Sequence, residues 1–249
     1  MEDRKPLENE SNQTPVEQKP EKKQHHRLRN FLIILSVIIV ALILAIGYLG
    51  IYKIPVVSSV MGADKPKNLG IKTSEEALVS IKEKIPMKIT GDYMDFESTD
   101  PTQLFAGSIP VDTSTTSEEI TSWLQRFEGT DPIFSNTQVK KFEGGLEIST
   151  MLTKYLKTPI YVKVLVNQTS NKSVSLDIQK ASLGRIPVPE GYLDQAGDWF
   201  EEKIAKIMAA IPGFSMEKYE IHEDSSTFKG TFPAQVKKSK QGFSALFGL

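Results

Sequence analysis

Residues 31–52 read FLIILSVIIVALILAIGYLGIY, a run of 22 residues without Asp, Glu, Lys, Arg or His. At about 1.5 Å per residue, a helix of this length covers the roughly 30 Å hydrocarbon core of a bilayer. A helix in the core of a soluble domain is rarely apolar on every face. The stretch is therefore read as a membrane span. It divides the chain into a polar tail ahead of it and a folded region behind it.

The flank before the span, KPEKKQHHRLRN, carries Lys19, Lys22, Lys23, Arg27 and Arg29 against Glu21. The flank after it holds Lys53, Lys65 and Lys67 against Asp64. The basic excess on the N-terminal side places that side in the cytoplasm and the C-terminal region outside. A cleaved secretory signal would have a shorter apolar region, about 7–15 residues, so an uncleaved signal anchor is the preferred reading. The chain has no cysteine, which excludes a lipoprotein attachment site and a disulfide framework.

Around the span, residues 1–30 are rich in Glu, Lys, Gln and Pro and read as a disordered cytosolic tail. His25 and His26 in its basic end read as interfacial charge, not as a metal site. Residues 53–72, with Pro55, Gly62, Pro66 and Gly70, read as a linker. An extracytoplasmic domain over 73–236 and a tail over 237–249 complete the division. The whole chain carries 30 basic and 31 acidic residues, and no basic patch speaks for nucleic acid.

The folded region alternates helix and strand signals, an α+β pattern. Thr73-x-x-Glu76 and Thr116-x-x-Glu119 read as capping boxes. Behind the first, Ala77, Leu78, Ile81 and Ile85 recur at helical spacing until Pro86. Behind the second, Ile120, Trp123, Leu124 and Phe127 form one apolar stripe, expected in the core. The acids Asp92, Asp95, Glu97 and Asp100 lack the EF-hand glycine and terminal Glu, so they read as a solvated loop or strand face. Gln103–Val111 reads as a strand. Thr137–Phe142 and Leu146–Leu152 flank the turn Glu143-Gly144-Gly145 as a hairpin. Ile160–Val166 and Val174–Leu183 read as paired strands around the turn NQTSNK at 167–172. Its Asn167 and Asn171 match the glycosylation pattern but serve as ordinary turn residues.

Pro187 and Pro189 end the strand region. The longest helical pattern outside the span then runs from Gly191 to Ile211. Leu193, Ala196, Phe200, Ile204, Ile207, Met208 and Ile211 line one side of it. Pro212-Gly213 stops it, and Met216–His222 with Thr227–Val236 reads as a last hairpin. In the tail, Lys237, Lys238 and Lys240 precede Phe243, Leu246 and Phe247, a pattern suited to a membrane surface or to a docked last turn.

No nucleophile elbow, zinc-protease motif, phosphate loop or dinucleotide fingerprint occurs. The single histidine beyond the span, His222, reads as an exposed strand residue. The expectation is a protein without catalytic residues, metal or cofactor.

Three stretches carry a family resemblance: LGIKTSEEAL (69–78), FAGSIPVDTSTTSEEITSWL (105–124) and SVSLDIQKASLGRIPVPEGYLDQ (173–195). In them the chain resembles the YpmS-like bacterial single-pass membrane proteins. More distantly it is similar to tubular lipid-binding and AsmA-type modules. The resemblance implies a Gram-positive cell-surface domain in which a curved antiparallel sheet packs on a long amphipathic helix. It supplies no catalytic residues.

Two function classes follow. In the first, the domain binds a lipid or other hydrophobic ligand along the long helix, with Phe200, Ile204 and Met208 as the candidate ligand-binding residues. In the second, the core is fully packed and the anchored domain is a non-enzymatic scaffold for a partner in the cell envelope.

Overall fold

The computed structural model describes residues 24–50, 54, 57–60, 63–94, 101–154 and 156–240. The expected disordered tail, up to residue 23, and the apolar end of the C-terminal tail from 241 lie outside them. Two compact units divide the chain, Met1–Leu42 and Ile43–Leu249. Helix α1 (Gln24–Leu49) crosses that boundary. In the first unit, its side chains from Ile33 onward are exposed and, apart from Ser36, apolar. Among the described residues no helix is long and apolar enough to cross a membrane. The run at 31–52 is described only in part, because side chains are given from Ile33 and residues 51–53 lie outside.

The second unit is an α+β domain. After the end of α1 come α2 (Val57–Val60), α3 (Glu75–Lys84), β1 (Lys88–Met94), α4 (Pro101–Leu104), β2 (Phe105–Ala106) and β3 (Ile109–Thr116). Then follow α5 (Ser117–Arg126), β4 (Phe134–Phe142), β5 (Gly145–Leu152), β6 (Thr158–Ser170), β7 (Ser173–Leu183) and β8 (Ile186–Pro187). The chain ends in α6 (Glu190–Ala210), β9 (Ser215–His222), β10 (Ser225–Phe232) and β11 (Gln235–Ser239).

Three sheets form, in the orders β4-β5-β6-β7-β8, β3-β10-β9 and β1-β11-β2. Pairing is antiparallel except that β1 runs parallel to β11. Strand β6 is the hub, because it is longer than its partner. β5 pairs with it only from Thr158 to Leu165. Past that point β9 comes alongside: Met216 N–H donates to Asn171 O at 2.7 Å. The Gln168 side chain joins the two strands, accepting from Tyr219 N–H at 2.7 Å and donating to Met216 O at 3.1 Å. One amide side chain thus replaces two ladder bonds and joins two sheets.

Several sequence expectations shift. The first capping residue is Ser74, not Thr73: its Oγ accepts from Ala77 N–H and donates to Glu118 Oε1 of α5 at 2.7 Å. The tie to a second helix selects it. The capping box at Thr116 and Glu119 forms as read. The strand expected over 103–111 is a helical turn, a short strand and a longer one. Gly107, at φ +73°, makes the break, and a Cβ there would meet Ala234 Cβ at 2.9 Å. The strand expected over 227–236 breaks at Pro233, which has no N–H to offer a ladder, and β11 leaves for another sheet. The turn expected over 167–172 contracts to Asn171-Lys172, since pairing continues to Ser170. Within the expected linker, Ala63 and Leu69 are buried, and Leu69 N–H donates to Gln138 Oε1 at 2.9 Å.

The largest correction concerns α5. Its buried residues are Ser117, Glu119, Thr121 and Ser122, while Ile120, Trp123, Leu124 and Phe127 are only half-buried. The cause is β4, an edge strand whose outward backbone groups need partners. Thr121 Oγ1 donates to Val139 O at 3.2 Å and accepts from Val139 N–H at 3.0 Å. Ser117 Oγ accepts from Lys141 N–H at 2.9 Å, and Gln125 Nε2 donates to Thr137 O at 3.0 Å. Glu128 Oε1 takes Thr137 N–H at 3.0 Å. A polar stripe, Ser117, Thr121, Gln125 and Glu128, therefore closes the sheet edge. The apolar stripe of the same helix is left to face elsewhere.

Candidate hydrophobic-ligand site

Helix α6 lies along β7. Its N-terminal half is covered: Leu193 packs with Val164 and Ile178 of the large sheet. Its C-terminal half crosses toward the β3-β10-β9 sheet, where Ile204, Met208 and Ile211 meet a cluster of Val111, Val174, Phe214, Met216 and Phe228. Aromatic rings make the floor of this region. Phe214 and Phe232 stand edge to face at 5.5 Å and 85°, and Phe228 and Phe232 lie 4.6 Å apart. A third cluster, Leu104, Phe105 and Val236, adds Ile207 and Phe127 from the other side.

Between these clusters the packing does not close. A partly open cavity of about 320 Å³ is lined by Ile204, Ile207, Met208 and Ile211 of α6 and by Trp123 of α5. Met87, Phe105, Phe214, Phe232 and Pro233 complete it. Every lining side chain is apolar. At about 30 Å³ for a group of water or methylene size, the cavity holds roughly ten such groups. An apolar cavity of this kind disfavours water and suits hydrocarbon. No lining group titrates, so the cavity walls contribute no acid, base or nucleophile.

Of the three residues singled out in the sequence, Ile204 and Met208 stand in this wall. Phe200 does not: it is 39% exposed and packs edge to face on Trp199 at 4.9 Å. Residues missed in the sequence include Trp123 and Phe105. The helical spacing of Trp123 points to the core, and the polar stripe beside it, Ser117, Thr121 and Gln125, is the signal that its own stripe has another use.

A second cluster is polar and buried. Lys141 of β4 is 2% exposed, and its Nζ donates to Thr115 O at 2.5 Å and Thr115 Oγ1 at 2.9 Å. Burial pushes its ammonium down to about 7, a shift that the Glu119 carboxylate opposes and the Lys84 ammonium adds to. Burial alone would raise the Glu119 carboxyl. Donors from Lys84 Nζ at 2.6 Å, Ser80 Oγ at 2.5 Å and Thr116 N–H at 2.8 Å instead hold it below its usual value. The cluster ties α3, α5, β3 and β4 together.

His222 is exposed on β9, 3.5 Å from Glu143 and 3.7 Å from Glu220. Among the described residues no group of three His, Cys, Asp or Glu is arranged to hold a metal. Of the acids at 92–100, the Asp92 side chain and residues 95–100 lie outside those described. No protein-family model, curated protein or solved structure matches this chain. Fold and site together define an α+β domain with a partly open apolar groove between its longest helix and its aromatic floor.

Proposed function

We propose that this domain holds a lipid, or another ligand with a hydrocarbon part, in the groove at the C-terminal half of α6. The reading gives it a membrane anchor in the 31–52 segment, a cytoplasmic N-terminus and an extracellular domain, and it assigns no reaction. The observation that carries it is the cavity of about 320 Å³ with only apolar side chains in its wall. An unfilled apolar cavity forfeits contacts on every lining atom, so a chain folded only for stability has reason to close it. The rival reading, a scaffold with a fully packed core, is disfavoured by the same cavity.

The magnitude follows from the volume. Burying about ten methylenes at about 0.8 kcal/mol each supplies at most about 8 kcal/mol, which corresponds to a micromolar dissociation constant. Trp123 in the wall reports occupancy. A dansyl-labelled fatty acid, titrated into the full chain held in amphipol, should show saturable energy transfer from tryptophan at micromolar concentrations. Met208→Trp fills the groove and should abolish the saturable signal, and Phe200→Ala, outside the wall, should keep it. Equal binding by both variants, or no saturable transfer in the parent, refutes the proposal.

A further inference from the structure

The end of α1 is built into the second unit. Leu49 O accepts from Arg185 N–H at 2.8 Å, and Gly50 O accepts from Thr158 Oγ1. These are carbonyls that a helix C-terminus leaves without partners in its own backbone, and the domain supplies the donors. Gly184, at φ +60°, lets the β7–β8 turn approach this closely: a Cβ there would meet Leu49 O at 2.3 Å. The Arg185 guanidinium stacks on the Tyr48 ring at 4.4 Å.

Exposed apolar side chains stand around this junction, with the charged Arg185, Glu190 and Asp194 exposed among them. On the last turns of α1, Ile43, Leu44 and Ile46 are each 42% exposed and Tyr48 51%. Past Arg185, Ile186 is 37% exposed, and Tyr192 in the first turn of α6 is 63% exposed. Exposed apolar side chains thus stand on both sides of the arginine–tyrosine pair, on the last turns of α1 and on the β7–β8 turn. Tyrosine rings and snorkelling arginines are the groups that settle at headgroup level. That layer is roughly 5–8 Å thick on each side of the hydrocarbon core. A group stacked on Tyr48 at 4.4 Å falls within it when the apolar part of α1 ends at the membrane surface.

Resting on the proposed anchor, we infer that the β7–β8 turn and the first turn of α6, through Arg185, Ile186 and Tyr192, form a second contact with the lipid surface. The occupant of this patch is the bilayer itself, because the patch adjoins, through Arg185 on Tyr48, the exposed apolar last turn of α1. The contact fixes the N-terminal end of α6 at the membrane and sets the groove, at the other end of the helix, roughly 20–30 Å further along at 1.5 Å per residue.

The absence of cysteine makes the test direct. Single variants Ile186→Cys, Tyr192→Cys, Lys229→Cys on β10 and Ile39→Cys on α1 are labelled with an environment-sensitive fluorophore. The full chain is reconstituted in vesicles of phosphatidylcholine and phosphatidylglycerol, with and without a lipid carrying a quencher, at headgroup level for the labels at 186, 192 and 229 and on the acyl chain for the label at 39. Labels at 186 and 192 should lose most of their emission to the quencher, and the label at 229 should keep it. A quenched label at 39 with unquenched labels at 186 and 192 overturns the surface contact alone. An unquenched label at 39 overturns the anchor and the contact with it. Equal quenching at 186, 192 and 229 also overturns the contact, since it shows no defined orientation.

Discussion

Lys141→Met tests the buried polar cluster. In the folded chain the Lys141 ammonium is pushed down to about 7 by burial, with Glu119 opposing the shift and Lys84 adding to it. In the unfolded chain a lysine titrates near 10.4. Between those two values the unfolded state carries a proton that the folded state lacks, so stability rises with pH across that window. Below about 7 both states are charged and the burial cost is fully present. Each unit of difference corresponds to about 1.4 kcal/mol, so from pH 7 to 9.5 the parent should gain about 3 kcal/mol from this group. Methionine has similar length and no charge, so the variant should lack the slope. It forfeits two hydrogen bonds to Thr115 but removes the burial cost, and should match or exceed the parent at pH 7. Tyr219 and Tyr161 are both raised, first by burial, and work the other way above pH 10, which sets the upper limit of the window. Denaturant midpoints of parent and variant in the same detergent, compared at each pH, give the difference directly. Parallel curves from pH 7 to 9.5 would show that Lys141 is solvated and would refute the reasoning.

Thr121→Val keeps shape but leaves Val139 N–H and C=O without partners; at about 1–3 kcal/mol for each orphaned group, unfolding should cost roughly 2–6 kcal/mol less, measured by denaturant titration at pH 8. Leu193→Ala, at a covered position of α6, should destabilise by about 2–5 kcal/mol, while Met208→Ala in the groove wall should cost clearly less and weaken the dansyl fatty acid instead. Equal thermal shifts for the two variants would mean that Met208 is ordinary core.

How far the sequence goes depends on which force sets each element. The hairpin at Glu143-Gly144 and the capping box at Thr116 and Glu119 are local. Turn chemistry and a reciprocal cap need no knowledge of distant residues, and both stand where the pattern puts them. The helix over 190–210 is legible for the same reason, from its period alone. What a sequence window cannot hold is long-range competition. Ser74 wins over Thr73 because Glu118 lies beside it, 44 positions away in the chain. The strand after Ser226 breaks because β11 finds partners near Lys88 and Phe105. Phe200 has the right spacing for the groove, yet it sits on the exposed side beside Trp199.

The α5 stripe shows where the groove comes from. An amphipathic helix ordinarily turns its apolar side inward, and on that rule Trp123 belongs to the core. Here the inward position is claimed by backbone hydrogen bonding. An edge strand buried without partners for Thr137, Val139 and Lys141 would cost about 1–3 kcal/mol for each group left unmade. Ser117, Thr121, Gln125 and Glu128 meet that demand, and they fix the rotation of the helix in doing so. Trp123 and Phe127, their rings 4.8 Å apart and tilted by 59°, are then carried to the side that faces α6. There Ile204, Met208 and Ile211 of α6 meet Val174 of the large sheet and the rings of Phe214 and Phe228 on one flank only. Neither surface is wide enough to seal the other, so a wall of Trp123, Ile207 and Met208 stands open. The groove is thus a consequence of polar bookkeeping at the far face of α5. For that reason Thr121→Val should loosen the groove as well as the sheet edge.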